Sequence, residues 1–191
     1  MDTVAVAQGH DRTPVLTVGT VVWLASELMF FSGLFAAYFT LRATAEGDWP
    51  PADVHLEVLT SGLFTLGLVL SSGTMQLGVR AIAGDRLAAF RGWLIATLVL
   101  AAAFIANQAH EWSSLEFRVD THSYGSAFYV MTGFHGIHVL GGMAAMVLLL
   151  GRAGSRRFGA ADVPAVEMVS YYWHFVDVVW IGLWATLFVL K

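Results

Sequence analysis

Six ionisable residues fall in stretches that are otherwise almost free of charge. Glu27 is the only charged residue from Thr13 to Leu41 and is flanked by Trp23, Phe30 and Phe31. His135 and His138 lie three apart in a stretch, Tyr124 to Gly151, with no Asp, Glu, Lys or Arg. His174 and Asp177 repeat that spacing, and Glu167 precedes His174 by seven residues, almost directly below it on a helix of about 3.6 residues per turn. Two facing helices bearing His-x-x-His and His-x-x-Asp could offer four metal ligands. A carboxylate-bridged pair of metals needs acids from two further helices as well, and only Glu27 is available at depth. Haem is poorly served, because only His135, His138 and His174 are embedded and two of them share a face. No serine carries a nucleophile motif, although a Ser–His pair inside the bundle stays open. A proton or ion relay through Glu27, His135, His138 and Asp177 is a transporter reading, but no inverted repeat or broken helix accompanies it. The structural reading bonds these imidazoles and carboxylates across helices, with Tyr171, Tyr172 and Thr132 as partners. For Glu27 the choice is between an acid bonded to a neighbouring helix or lipid headgroup and a group that handles protons.

Such residues need elements that hold them in a bilayer, and composition supplies these. Of 191 residues, 57% are hydrophobic and 13% charged, against roughly 25% charged in a soluble domain. A span takes about 20 mostly apolar residues, and the uncharged runs place five, near 18–41, 58–79, 88–110, 124–151 and 165–190. The expected fold is therefore all-α, a polytopic membrane bundle of five transmembrane helices forming a single domain over 1–191. Trp49-Pro50-Pro51 cannot continue a helix. Trp93 and Trp112 stand near opposite ends of the third span, where an amphipathic ring prefers the interface. Gly33 and Ala37, Gly67 and Ser71, and Gly141 and Ala145 have the small-xxx-small spacing of close helix packing.

Charge gives an orientation and excludes some partners. Arg12, Arg80, Arg86, Arg91, Arg152, Arg156 and Arg157 belong to one side; Arg42, Arg118 and Lys191 belong to the other. The basic excess puts the amino terminus in the cytoplasm and the carboxyl terminus outside. The polar segment from Met1 to Pro14 lacks the basic start and short apolar core of a cleaved signal peptide, so the first span is expected to serve as its own insertion signal. The net charge of −4 and the scattered basic residues offer no phosphate-tracking surface, so nucleic acid is not an expected partner. With no Cys in the chain, disulfides, thiolate metal sites and cysteine nucleophiles are excluded.

Five motifs, in order, resemble subunit III of the haem-copper terminal oxidases over about Val18 to Leu190. They are Ser26-Glu27-Leu28-Met29-Phe30-Phe31, Trp49-Pro50-Pro51, Gln108-Ala109-His110-Glu111-Trp112, Gly133-Phe134-His135-Gly136-Ile137-His138-Val139, and the run from Tyr171 through Trp173, His174 and Asp177 to Trp180. The resemblance implies a subunit of a respiratory complex that reduces oxygen to water and moves protons, with the haem and copper held in subunits I and II. This chain would then bind no redox cofactor or metal and have no catalytic residue. It would pack on subunit I, hold phospholipid, support proton uptake and protect the enzyme during turnover. Subunit II, small accessory subunits and a supercomplex with a cytochrome c reductase are further implied partners. Glu27 matches the family's carbodiimide-reactive carboxylate, while Trp23, Glu111 and Trp173 are candidate interface or lipid contacts. The family's long form has two more amino-terminal helices enclosing a lipid cleft; the match here is to the short five-helix bacterial form. The form of the motifs is closer to the cytochrome c branch than to the quinol branch.

Overall fold

The computed structural model describes residues 15–52, 54–155 and 158–190. The amino-terminal segment to Pro14, and Arg12, Arg156, Arg157 and Lys191 of the orientation argument, lie outside the described residues, as does Asp53. Five long helices follow one another: α1 (Val15–Thr44), α2 (Val58–Ala83), α3 (Leu87–Ser114), α4 (Ser123–Arg152) and α5 (Val163–Trp184), the last continuing as a π turn over Ala185–Val189. All five are long and apolar enough to cross a membrane. Several outrun the expected spans by up to four residues, carrying Arg42, Arg80 and Glu111 on helix. A change in charge marks the edge of hydrocarbon, whereas backbone hydrogen bonding continues into the interface, where long side chains can reach water.

Local chemistry ends the helices. α1 stops ahead of Gly47, whose φ of 112° suits glycine alone, and of the cis Trp49–Pro50 bond. His122 caps α4, its Nδ1 accepting from the Gly125 amide at 2.8 Å. Asp162, just before α5, accepts from Arg152 at 3.0 Å and from the Gly159 amide at 3.2 Å, which closes the turn between α4 and α5.

The most buried helix is α5. In its most apolar stretch 56% of residues are buried, against 6% for α1. Three indoles on one face of α5 donate to hydroxyls that descend α2 in the opposite direction: Trp173 to Ser71 at 2.9 Å, Trp180 to Thr65 at 2.8 Å and Trp184 to Ser61 at 3.0 Å. The hydrocarbon core has no acceptor to offer an N–H, and each of these indoles is directed to a protein partner. α3 packs on α2 and α4, and α1 docks against α4 and α5. At the far end, Tyr38 and Tyr124 donate to the carbonyls of Thr186 and Leu187 at 3.3 and 2.9 Å, and Arg42 bonds the Leu190 carbonyl. These bonds serve carbonyls of the π turn and of the chain end beside it.

Close packing centres on a glycine that the spacing argument passed over. A Cβ on Gly142 would lie 2.7 Å from Trp173, whereas at Gly33 and Gly67 nothing of this chain lies within 4 Å. Gly141 does meet a neighbour, the Tyr172 hydroxyl at 3.5 Å. Gly142→Ala is therefore expected to destabilise the chain in detergent by about 1–3 kcal/mol through overpacking. Gly33→Ala is expected to be neutral, or stabilising by up to about 1 kcal/mol from helix propensity. Denaturant unfolding of the two variants checks the contrast.

Candidate functional site

Glu27, near the middle of α1, meets His138, near the middle of α4, with Oε2 and Nε2 3.0 Å apart. Trp23, one turn before Glu27, donates its indole N–H to Oε1 at 3.0 Å. The other histidine nitrogen, Nδ1, lies 2.6 Å from the Phe134 carbonyl. A carbonyl only accepts, so Nδ1 carries a proton there and a neutral His138 presents Nε2 as a bare acceptor. The contact with Glu27 is then completed by one proton, placed either on the acid or on the imidazole. Phe31 packs edge-on to His138 with ring centroids 5.0 Å apart, and both members of the pair are largely shielded.

The Tyr172 hydroxyl donates to the His138 carbonyl at 2.8 Å, and its ring stacks on Trp23 at 4.9 Å and 9°. These two rings wall one end of an apolar groove of about 790 Å³ between α1, α4 and α5, lined further by Gly19, Ala145, Met168 and Val169. The groove lies in the half of the bundle nearer the start of α1 and α5.

A second polar group sits at the same depth between α2 and α5. Ser72 donates to Asp177, and His174 Nδ1 lies 2.8 Å from the same Ser72 oxygen. Because the serine proton goes to the carboxylate, the histidine is the donor in the second bond. His174 Nε2 accepts from the Ser170 hydroxyl at 3.1 Å, and the Gln76 amide oxygen lies 3.4 Å from it. This is the Ser–His pair the sequence left open, but its order is wrong for a nucleophile. A catalytic triad places the histidine between serine and acid, to take the serine's proton; here the serine stands in the middle and gives its proton to Asp177.

The remaining expectations resolve residue by residue. His135 and His138 do not form one stripe: three residues leave a rotation of about 60°, and the two rings go to different neighbours. His135 is 1% exposed, stacked on Trp180 at 4.8 Å, edge-on to Phe104, and without a hydrogen-bond partner at either nitrogen. The four potential ligands thus turn to three separate places, and among the described residues no group of three His, Cys, Asp or Glu could hold a metal. Glu167 is half-buried and joins neither bonded group. Tyr171 is exposed on the bundle surface, and Thr132 bonds its own helix at Phe128; of the three expected partners only Tyr172 reaches across helices. Trp23 is exposed beside the groove, whereas Trp173, expected at an interface or lipid contact, is fully enclosed because its ring fills the space left by Gly142. Glu111 is 9% exposed and lies between α2 and α3. Sequence reasoning missed Ser72 altogether. Its signal was the set of hydroxyls Ser61, Thr65, Ser71 and Ser72 within one uncharged run, 58–79.

Ser72→Ala removes a partner from Asp177 and from His174 together, and is expected to cost about 1–3 kcal/mol of bundle stability. A double-mutant cycle of Ser72→Ala with Asp177→Asn should show coupling of about 0.6–1.7 kcal/mol; additive losses would mean that the two side chains act independently.

Comparison with known proteins gives one consistent result. The family model described as cytochrome c oxidase subunit III matches residues 2–190. A probable cytochrome c oxidase subunit 3 of Nocardia farcinica is 46% identical over 184 residues, 95% of this chain and 91% of the relative. The cytochrome c oxidase subunit 3 of Corynebacterium diphtheriae is 42% identical over 186 residues, covering 95% and 91%. That of Thermostichus vulcanus is 37% identical over 190 residues, covering 98% and 93%. With five membrane-crossing helices and matches along nearly its whole length, the chain belongs to the cytochrome c oxidase subunit III family.

Proposed function

We propose that this chain is the non-redox subunit III of a respiratory cytochrome c oxidase, which stabilises subunit I, binds phospholipid and supports proton uptake through Glu27. The observation that carries the reading is the Glu27–His138 contact, a single proton shared between an acid and an imidazole at mid-bilayer beside an apolar groove. Intramembrane ionisable groups are costly, at about 2.5–3.5 kcal/mol on insertion scales, and are retained where they serve a pathway or a contact. Here the acid has a partner that can receive its proton without moving. The groove suits an acyl chain: it is apolar and lined by three membrane-crossing helices. Haem and copper then reside in partner subunits, with subunit I the main contact and subunit II and small subunits completing the complex. The amino terminus faces the cytoplasm, so the groove lies in the cytoplasmic leaflet, on the side from which protons are taken up. Cytochrome c is the electron donor, in keeping with the branch to which the motifs are closer.

The test uses the gently solubilised complex. Carbodiimide is expected to label this chain at Glu27, and Glu27→Gln is expected to abolish the label while the chain stays associated; unchanged labelling would refute the assignment. His138→Ala, which removes the proton's other seat, is expected to shorten sustained oxygen reduction without changing the haem absorbance. Oxidation of quinol in place of reduced cytochrome c by the same complex would move the assignment to the related quinol oxidases.

A further inference from the structure

The polar group between α2 and α5 has an order that a nucleophile cannot use and a proton can. The Ser170 hydroxyl donates to His174 Nε2 at 3.1 Å, His174 Nδ1 donates to Ser72 Oγ at 2.8 Å, and Ser72 donates to Asp177 Oδ2. Every link points the same way, and the last acceptor is an acid. The two middle members, an imidazole and a hydroxyl, each give one proton and receive another, which is what a relay requires.

Access differs along the row. Asp177 is 4% exposed and its Oδ1 is buried, whereas His174, Ser72 and Gln76 are half-buried. The acid is thus reached through His174. The Gln76 amide oxygen lies 3.4 Å from His174 Nε2. While Nε2 is bare, this is one acceptor facing another; it becomes a hydrogen bond when Nε2 carries a proton. Other ionisable groups on the packed helices are engaged elsewhere or lie apart. α2 carries no charge before Arg80, which is exposed and eight residues past Ser72, and α3 carries none from Gly92 to Ala109. α4 brings His135, stacked on Trp180, and His138, which meets Glu27 of α1. On α5 itself, Glu167 lies two turns before His174, Tyr171 is exposed and Tyr172 bonds the His138 carbonyl.

We infer that His174 and Ser72 form a proton relay to Asp177, a proton-binding site separate from the Glu27–His138 contact. A proton arriving at His174 Nε2 makes an imidazolium; its Nδ1 proton passes to Ser72 Oγ as the Ser72 hydroxyl proton passes to the Asp177 carboxylate. The products are a neutral acid, an intact serine and a neutral imidazole protonated at Nε2. Every bond is then reversed: Asp177 donates to Ser72, Ser72 to Nδ1, and Nε2 to the Gln76 oxygen. Both directions pair each donor with an acceptor, so neither leaves a buried orphan. Among the described residues Asp177 Oδ1 has no onward partner, so the row loads an acid and does not cross the bundle.

The test follows both ends of the row in the full chain, isotope-labelled at histidine nitrogen, held in phosphatidylcholine nanodiscs and titrated with acid. Nitrogen resonances of His174, assigned by their loss in His174→Asn, report which ring nitrogen holds the proton. The carboxyl C=O stretch of Asp177, assigned by its loss in Asp177→Asn, reports the acid. The two are expected to change together: as the carboxyl band grows, His174 passes from the Nδ1–H to the Nε2–H form without holding both protons. Ser72→Ala breaks the row and is expected to abolish the tautomer change, whereas Ser72→Thr, which restores a hydroxyl, retains it. Asp177→Asn is expected to hold His174 in the Nδ1–H form throughout, and carries the test should Ser72→Ala misfold. The relay is overturned if the carboxyl band does not change, if His174 keeps one tautomer or gains a second proton while it does, or if Ser72→Ala or Asp177→Asn switches tautomer as the wild type does.

Discussion

An indole N–H in a bilayer must find its acceptor inside the protein, and α5 carries three along one face. Because each is answered by a hydroxyl of α2, the two helices are fixed in register as well as in contact. A slip of one turn would leave three indole donors, two of them fully buried, and three hydroxyls mismatched at once, and each buried donor so orphaned costs about 1–3 kcal/mol. Everything else is placed against this seam. Trp173 fills the space over Gly142 and so sets the distance to α4; Trp180 supports the ring of His135. Asp177 and His174, on the same helix, reach Ser72 only because the seam brings α2 beside them.

α1 is held differently. Only 6% of its most apolar stretch is buried, so a few directed links matter more to its attachment than packing does. Near its end Tyr38 bonds the Thr186 carbonyl and Arg42 that of Leu190; at its middle Glu27 bonds His138; nearer its start Trp23 lies flat on Tyr172. The Glu27 link differs from the others in that its strength depends on a proton. Loss of that proton would leave a carboxylate facing a bare imidazole nitrogen, acceptor against acceptor. The Glu27–His138 contact joins α1 to α4, and α1 presents the largest unpartnered flank among the described helices to whatever lies next to it.

Much of the fold was legible because charge is scarce. The residues that interrupt apolar runs, such as Glu46 and Arg86, mark the connections, and the prolines after Trp49 confirm the first of them. The site was legible in part. Depth within an uncharged run identified Glu27, His138, His174 and Asp177 as groups needing partners, since the cost of burial is a property of the residue. Which partner each would choose was not legible, because that depends on helix rotation. The spacing of His135 and His138 reads as one face, yet their small angular offset divides them between the core and α1. Ser72 was invisible for a related reason: a serine in a membrane helix usually bonds its own backbone, as Ser71 also does here, and only the position of α5 gives Ser72 another use.

The two mid-bilayer groups are chemically alike, an acid and a histidine apiece, but they differ in burial. Asp177 is 4% exposed, enclosed between α2 and α5, with its proton supplied by a serine that has no onward partner except a histidine already donating to it. That arrangement ties α2 to α5 beside the indole seam. Glu27 and His138 retain 21% and 15% of their side-chain surface on the flank of the helix least covered by the bundle. There a proton can change sides between two atoms 3.0 Å apart with no change in packing. Of the two acids, the one that keeps side-chain surface therefore lies on α1, the helix whose span the bundle covers least.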